Sequence, residues 1–197
     1  MTALESSAER DIERILRAVW PLPTARRRPA LAVLVGLPGT GKSRFAEALC
    51  QRIGAVVLES DDLRKRLVRR PTYSAAESRR LFEAIHRAID RLLQAGAAVV
   101  LDATNLAERE REPLYTMAEA RDARLILVRL AAPGPVVRER LARRQPEDAE
   151  TQSDADVKVY ERMRFREERI RRPHYVVDTS QDIEPVLARI AREMGSA

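Results

Sequence analysis

Gly36-Leu37-Pro38-Gly39-Thr40-Gly41-Lys42-Ser43 fits the spacing G-x-x-x-x-G-K-[ST], and it sits between an apolar run at 31–35 and the helical pattern Phe45-Ala46-Glu47-Ala48-Leu49. Strand, glycine-rich loop and helix in that order form a cradle for phosphate. Glycines admit backbone conformations that turn successive N–H groups inward, and the helix that follows presents its positive end to the same anion. Lys42 is placed to reach β- and γ-phosphates, and the Ser43 hydroxyl to bind Mg2+. The lysine is itself informative, because of 36 basic residues only Lys42, Lys65 and Lys158 are lysines. A compact ammonium fits a phosphate loop where a broad guanidinium does not.

Outward from the cradle, short apolar runs recur at 55–58, 97–101, 125–130 and 175–177, as expected of strands buried on both faces. Charged segments with helical periodicity lie between them, at 43–53, 75–94, 108–121, 135–144 and 156–169. The alternation predicts an α/β domain: a doubly wound parallel sheet of about five strands with helices on both faces. Upstream, Leu4, Ala8, Ile12, Ile15, Leu16 and Val19 fall at helical spacing and predict an amphipathic helix over 4–20. Pro21, Pro23 and Pro29 with Arg26-Arg27-Arg28 then form a connector, solvated or in contact with phosphate. Residues 1–29 are therefore read as helix and connector, and 30–197 as the domain proper. The stretch 145–156 is polar and acidic without apolar period, which makes it the candidate for a mobile loop.

Composition narrows the classes. With 197 residues, 45% of them hydrophobic, the chain can bury one full core. No apolar run approaches the roughly 20 residues needed to cross a bilayer, and 1–10 lack the basic start and apolar centre of a signal peptide. A cytoplasmic location without a membrane partner is expected. Cys50 is the only cysteine, which excludes an internal disulfide and a cysteine-built zinc site. His86 and His174 stand apart with no metal-ligand spacing. The formal charge of +6 and pI near 10.1 suit an anionic partner. The skew toward arginine looks compositional, so nucleic acid is permitted and not demanded.

Three further stretches carry chemistry. The second apolar run leads into Glu59-Ser60-Asp61-Asp62-Leu63-Arg64, at the edge where open α/β sheets bind ligands. Asp61 and Arg64, three apart, share a helical face, so Asp61 can accept the proton of an attacking hydroxyl while Arg64 holds the acceptor. The alternative is that Ser60, Asp61 and Asp62 cap the helix carrying Leu63 and Leu67, and Asp62 is read that way. The third run ends on Asp102, which can hold a magnesium water. Thr104 and Asn105 follow, either bonding phosphate or acceptor or forming an Asx-type turn. Arg138, Arg140, Arg143 and Arg144 precede the polar loop, with Arg140 and Arg144 four apart on one face. They read as lid arginines over a nucleotide or as a solvated helix end.

As a set these motifs resemble the zeta-toxin and polynucleotide-kinase branch of P-loop kinases, where many AAA-type predicted kinases also belong. The resemblance spans about 30–190 and includes Leu101-Asp102-Ala103-Thr104-Asn105, Ser153-Asp154-Ala155 and Val177-Asp178-Thr179-Ser180. It implies a P-loop NTPase fold with strand order 2-3-1-4-5, an Arg-containing lid, and transfer of the γ-phosphate of ATP to an acceptor hydroxyl with Mg2+. It places the general base at Asp61, the acceptor-phosphate arginine at Arg64, and the ATP clamp at Arg140 and Arg144. Gly36, Pro38, Gly39, Thr40, Gly41, Lys42 and Ser43 would lie on the nucleotide, Thr104 and Asn105 on the acceptor, and Ser43 and Asp102 on the metal. Asp102 stands one residue further ahead of Thr104-Asn105 than the acid of the phage enzyme's Asp-Thr-Asn motif.

The acceptor expected by a narrow margin is a 5′-hydroxyl at a single-stranded nucleic-acid end, gripped by Arg64, Lys65, Arg66, Arg69 and Arg70. An aromatic content of 4% offers few stacking platforms for bases, and the alternative is a small antibiotic or sugar-nucleotide acceptor. The competing class is a nucleotide-binding ATPase or switch. No Asn-Lys-x-Asp guanine motif occurs in the sequence, and the candidate lid lies in the same chain.

Overall fold

A computed structural model describes residues 3–21, 25–143 and 157–195. The first helix, α1 (Ala3–Ala18), leads through the connector to β1 (Ala30–Val35), the cradle loop and α2 (Lys42–Ile53). Then follow β2 (Val56–Glu59), α3 (Ser60–Leu67), α4 (Ala75–Gln94), β3 (Ala98–Asp102), α5 (Glu108–Ala120) and β4 (Arg124–Ala131). Next come α6 (Gly134–Ala142), α7 (Val157–Met163), β5 (Tyr175–Asp178) and α8 (Glu184–Gly195). The five strands are parallel in the order β2-β3-β1-β4-β5, as the resemblance implied.

The sheet is buried on both faces because its strands are apolar at successive positions, and all six residues of the central β1 are buried. Leu31, Val33 and Val35 join Leu58, Val99, Leu101 and Leu127 on the face covered by α1, α3, α4 and α5. Ala32, Leu34, Val100, Val128 and Val177 point to the other face, under α2 and α8. A third, small cluster of Val137, Leu141 and Tyr160 joins α6 to α7 beside Leu37 of the cradle.

The N-terminal helix shares the domain's core. Ile12 and Ile15 are fully buried, and Asp11 accepts two bonds from Arg80 of α4 at 2.6 and 2.9 Å. Two expectations change. The helix predicted over 156–169 ends at Met163 in a 3-10 turn, because the following segment finds tertiary partners instead: Glu168 N–H donates to the Leu106 carbonyl at 3.0 Å and Glu167 takes Arg129 at 2.7 Å. The sequence reading also assigned no helix to α8, whose Leu187, Ile190, Ala191 and Met194 recur at helical spacing and are buried. Among the described residues no helix is long and apolar enough to cross a membrane.

Candidate active site

The cradle is built where β1 ends. Gly36 N–H donates to the Thr104 carbonyl at 3.0 Å, which ties the loop to the segment after β3. A Cβ at Gly36 would stand 2.4 Å from the Leu130 carbonyl oxygen, so only glycine passes β4 there. Thr40 closes the loop on itself through its N–H and hydroxyl, both donating to the Leu37 carbonyl at 3.3 and 2.8 Å. Gly41 begins α2 with φ +86°, a left-handed conformation, and no side chain caps the helix. The first N–H groups of α2 are therefore left to an anion. Lys42 Nζ reaches back to the Leu37 carbonyl at 3.1 Å, which holds the ammonium over the loop.

Opposite the loop lies an acidic edge. β2 and β3 pair in register with Glu59 beside Asp102, and both fall on the sheet face that α2 covers, alternating with Leu58 and Leu101 on the other. Asp102 is 3% exposed and its Oδ2 has no hydrogen-bond partner. Burial, together with the negative charges of Asp102, Asp61 and Asp62, pushes the Glu59 carboxyl up to about 7, with Lys42 opposing. The five charges thus form one electrostatic group. Asp61 and Asp62 occupy the first turn of α3, and Asp62 is taken by Arg66 at 2.7 Å. Glu59 was not among the sequence candidates, since only strand register sets it against Asp102.

Arg64 lies on α3, but its guanidinium turns away into a clasp with α4. Nη1 donates to Glu77 at 2.5 Å, Nη2 makes a long 3.3 Å bond to Ser78, and the ring of Tyr73 stacks 4.7 Å from the guanidinium carbon. Its Nε is buried without a partner. Glu77 also accepts from Thr72 N–H and hydroxyl, and these bonds with Arg64 hold its carboxyl down at about 2. The Asn105 side chain is buried and donates to the Leu34 carbonyl at 2.8 Å, so it fastens the loop after β3 to β1. Arg111, fully buried, braces the same loop through the carbonyls of Asn105 and Leu106 at 2.6 and 2.7 Å. Thr104 is half-buried at the start of that loop.

On the far side of the cradle, Arg140 of α6 donates to the Thr179 hydroxyl and carbonyl, both at 2.8 Å. The same hydroxyl donates to the Thr40 carbonyl at 2.8 Å, so Thr179, just past β5, joins α6 and the cradle. In the motif Val177-Asp178-Thr179-Ser180 nothing marks Thr179 for this role. Arg138 and Arg143 pair with Glu161 and Glu139. Arg144, the Ser153-Asp154-Ala155 motif and the polar stretch 145–156 lie outside the described residues. A cavity of about 240 Å³ lies beside the cradle under α6 and α7, lined in part by Leu37, Thr40, Tyr160 and Arg164.

The donors suit magnesium. Mg2+ keeps several waters and is held by one or two carboxylates plus substrate phosphates, not by a protein cage. Among the described residues no three His, Cys, Asp or Glu side chains form such a cage. The orphaned, buried Asp102 oxygen, on the sheet face that α2 covers, matches that requirement.

A family model described as an AAA domain matches residues 31–170. No curated protein matches the chain. Among solved structures, a candidate kinase from Chloroflexus aurantiacus is 19% identical, covering 85% of this chain and 99% of that one with a TM-score of 0.69. The Mycobacterium tuberculosis APS kinase CysC, solved with AMPPNP and APS, is 19% identical over 87% of this chain and 100% of that one, with a TM-score of 0.59. A gluconokinase from Sinorhizobium meliloti is 25% identical over 86% and 91%, with a TM-score of 0.56. The shared architecture is the P-loop kinase fold.

Proposed function

Since the chain belongs to the AAA domain family, we propose that it is an ATP-dependent phosphotransferase that moves the γ-phosphate of ATP to an acceptor hydroxyl. The observation that carries this reading is the juxtaposition of the Gly36–Ser43 cradle with the acidic edge of Glu59, Asp61 and Asp102, and of Arg140 at the cradle's far side. The loop N–H groups and Lys42 hold the β- and γ-phosphates and stabilise charge that builds on them in the transition state. The acceptor oxygen bonds to the γ-phosphorus as the bond from that phosphorus to the β-phosphate oxygen breaks, and ADP leaves. Asp61 takes the proton from the acceptor hydroxyl and returns it to solvent. Arg140, with Arg144, covers the nucleotide and excludes water. Ser43 and Asp102 would hold Mg2+, which supplies positive charge to the phosphates.

For the acceptor, a small hydroxyl compound now ranks ahead of a polynucleotide end. Arg64 is withdrawn against Glu77 and Ser78, away from any strand lying on the surface, and one of the similar structures is a gluconokinase. The 5′-hydroxyl reading draws on the exposed Lys65, Arg66, Arg69 and Arg70 of the same segment. A panel of sugars, sugar nucleotides, aminoglycosides and 5′-hydroxyl oligonucleotides incubated with γ-labelled ATP tests both. Label on an acceptor, with ADP formed only when that acceptor is present, supports the transferase. ADP formation indifferent to every acceptor would support the ATPase reading instead.

A further inference from the structure

We propose that Glu59 is a second magnesium-holding carboxylate, acting with Asp102 across the ends of β2 and β3; this rests on the magnesium-ATP reading above. Three observations carry it. Parallel register sets Glu59 directly beside Asp102, and strand alternation turns both to the face where α2 starts with Lys42 and Ser43. Asp102 is buried with one carboxylate oxygen unpartnered. Glu59 occupies the N-cap position of α3 yet makes no capping bond, and among the described residues its carboxylate has no hydrogen-bond or ion-pair partner.

Two neighbouring carboxylates in a part-buried site repel one another unless a proton or a cation joins them. Lys42 is within electrostatic range of Glu59 and bonds the Leu37 carbonyl, and in the proposed reaction it holds phosphate. Oxygen donors alone select a hard divalent cation, and Mg2+ takes one or two carboxylates alongside phosphate oxygens and waters. Glu59 and Asp102 would supply the two. Asp62, two residues along the helix from Ser60, is already neutralised by Arg66 and stays outside the pair.

The test is Mn2+ binding to the full chain with AMPPNP, followed by the free-ion EPR signal, with Asp62→Asn as control. Glu59→Gln should weaken Mn2+ about tenfold, in line with the loss seen when groups supporting a metal are removed, and leave metal-free AMPPNP affinity unchanged. Glu59→Asp, which keeps the charge, should recover most of that loss. Without metal, Glu59→Gln should raise Tm, because it removes repulsion from Asp102; a purely architectural glutamate would lower it. Wild-type Mn2+ affinity in Glu59→Gln together with weakened affinity in Asp102→Asn overturns the proposal and leaves the magnesium reading standing. Absence of Mn2+ binding by the wild-type chain with AMPPNP removes the magnesium reading and this proposal together. If Glu59→Gln does not fold, Glu59→Asp binding Mn2+ no better than Asp102→Asn counts against the proposal.

Discussion

Replacing Thr179 by Val removes one hydroxyl and keeps the shape of the side chain, which isolates the link between α6 and the cradle. That hydroxyl accepts from Arg140 Nη1 and donates to the Thr40 carbonyl, each at 2.8 Å. A bond from a charged donor contributes about 1.5–3 kcal/mol and a neutral one about 0.5–1.5 kcal/mol. Arg140 retains its second bond, from Nη2 to the Thr179 carbonyl at 2.8 Å, so part of the charged contribution survives. The net loss is about 2 kcal/mol, which for a chain of this size lowers Tm by about 4–8 °C. The change also reaches function. Arg140 is no longer seated against the loop, and AMPPNP affinity by calorimetry should fall about tenfold, the equivalent of roughly 1.4 kcal/mol. Thr179→Ser, which keeps the hydroxyl, should stay near wild type in both measurements. An unchanged Tm and unchanged AMPPNP affinity in Thr179→Val would refute the reasoning, and Arg140 would then owe its position to α6 packing alone.

Lys42→Ala should remain folded by circular dichroism and lose about 10²–10³ in turnover, since the transferred phosphate loses a pre-positioned cation; full activity would remove the cradle lysine from the mechanism. Asp61→Asn should lower kcat by about 10²–10⁴ with metal-ATP affinity within a few fold, while Asp62→Asn, which only releases Arg66, changes little. Equal, mild effects of the two would return Asp61 to helix capping. The Glu77 clasp makes an acid-sensitive contribution to stability. Its carboxyl is held down at about 2, below its ordinary 4.5, so the stabilisation is full above that ordinary value and is lost as pH falls toward 2. Urea midpoints measured between pH 6 and pH 3 should fall less for Glu77→Gln than for wild type, and parallel curves would show that the clasp is not formed.

Much of the fold was legible because its causes are local. Whether glycines turn a loop after a buried strand, and whether apolar residues repeat at 2 or 3.6, is settled by neighbours within a few positions. The cradle, α4 at 75–94 and the five strands followed from such patterns, and the strand order followed from the resemblance. Where local signals were overridden, the reason was a distant partner: the helix over 156–169 stops at Met163 because Glu167 and Glu168 bond to Arg129 and the loop after β3. The site itself was legible only as an inventory. In a chain so rich in arginine, spacing cannot tell one guanidinium from another. Arg64 and Arg140 looked alike as ligand-facing residues, yet one is drawn into a clasp with Glu77 and the other is seated on Thr179. Asn105 looked available and is buried on the Leu34 carbonyl. Glu59 looked like the end of a strand, and it stands 43 positions before the Asp102 beside which register sets it. The sequence by itself determined that a phosphate cradle sits on a parallel α/β sheet with acids at its edge, since loop conformation and strand burial are short-range properties. Only the tertiary structure decided which acids and arginines face one another, because strand register and helix docking are set by the packing of the whole core.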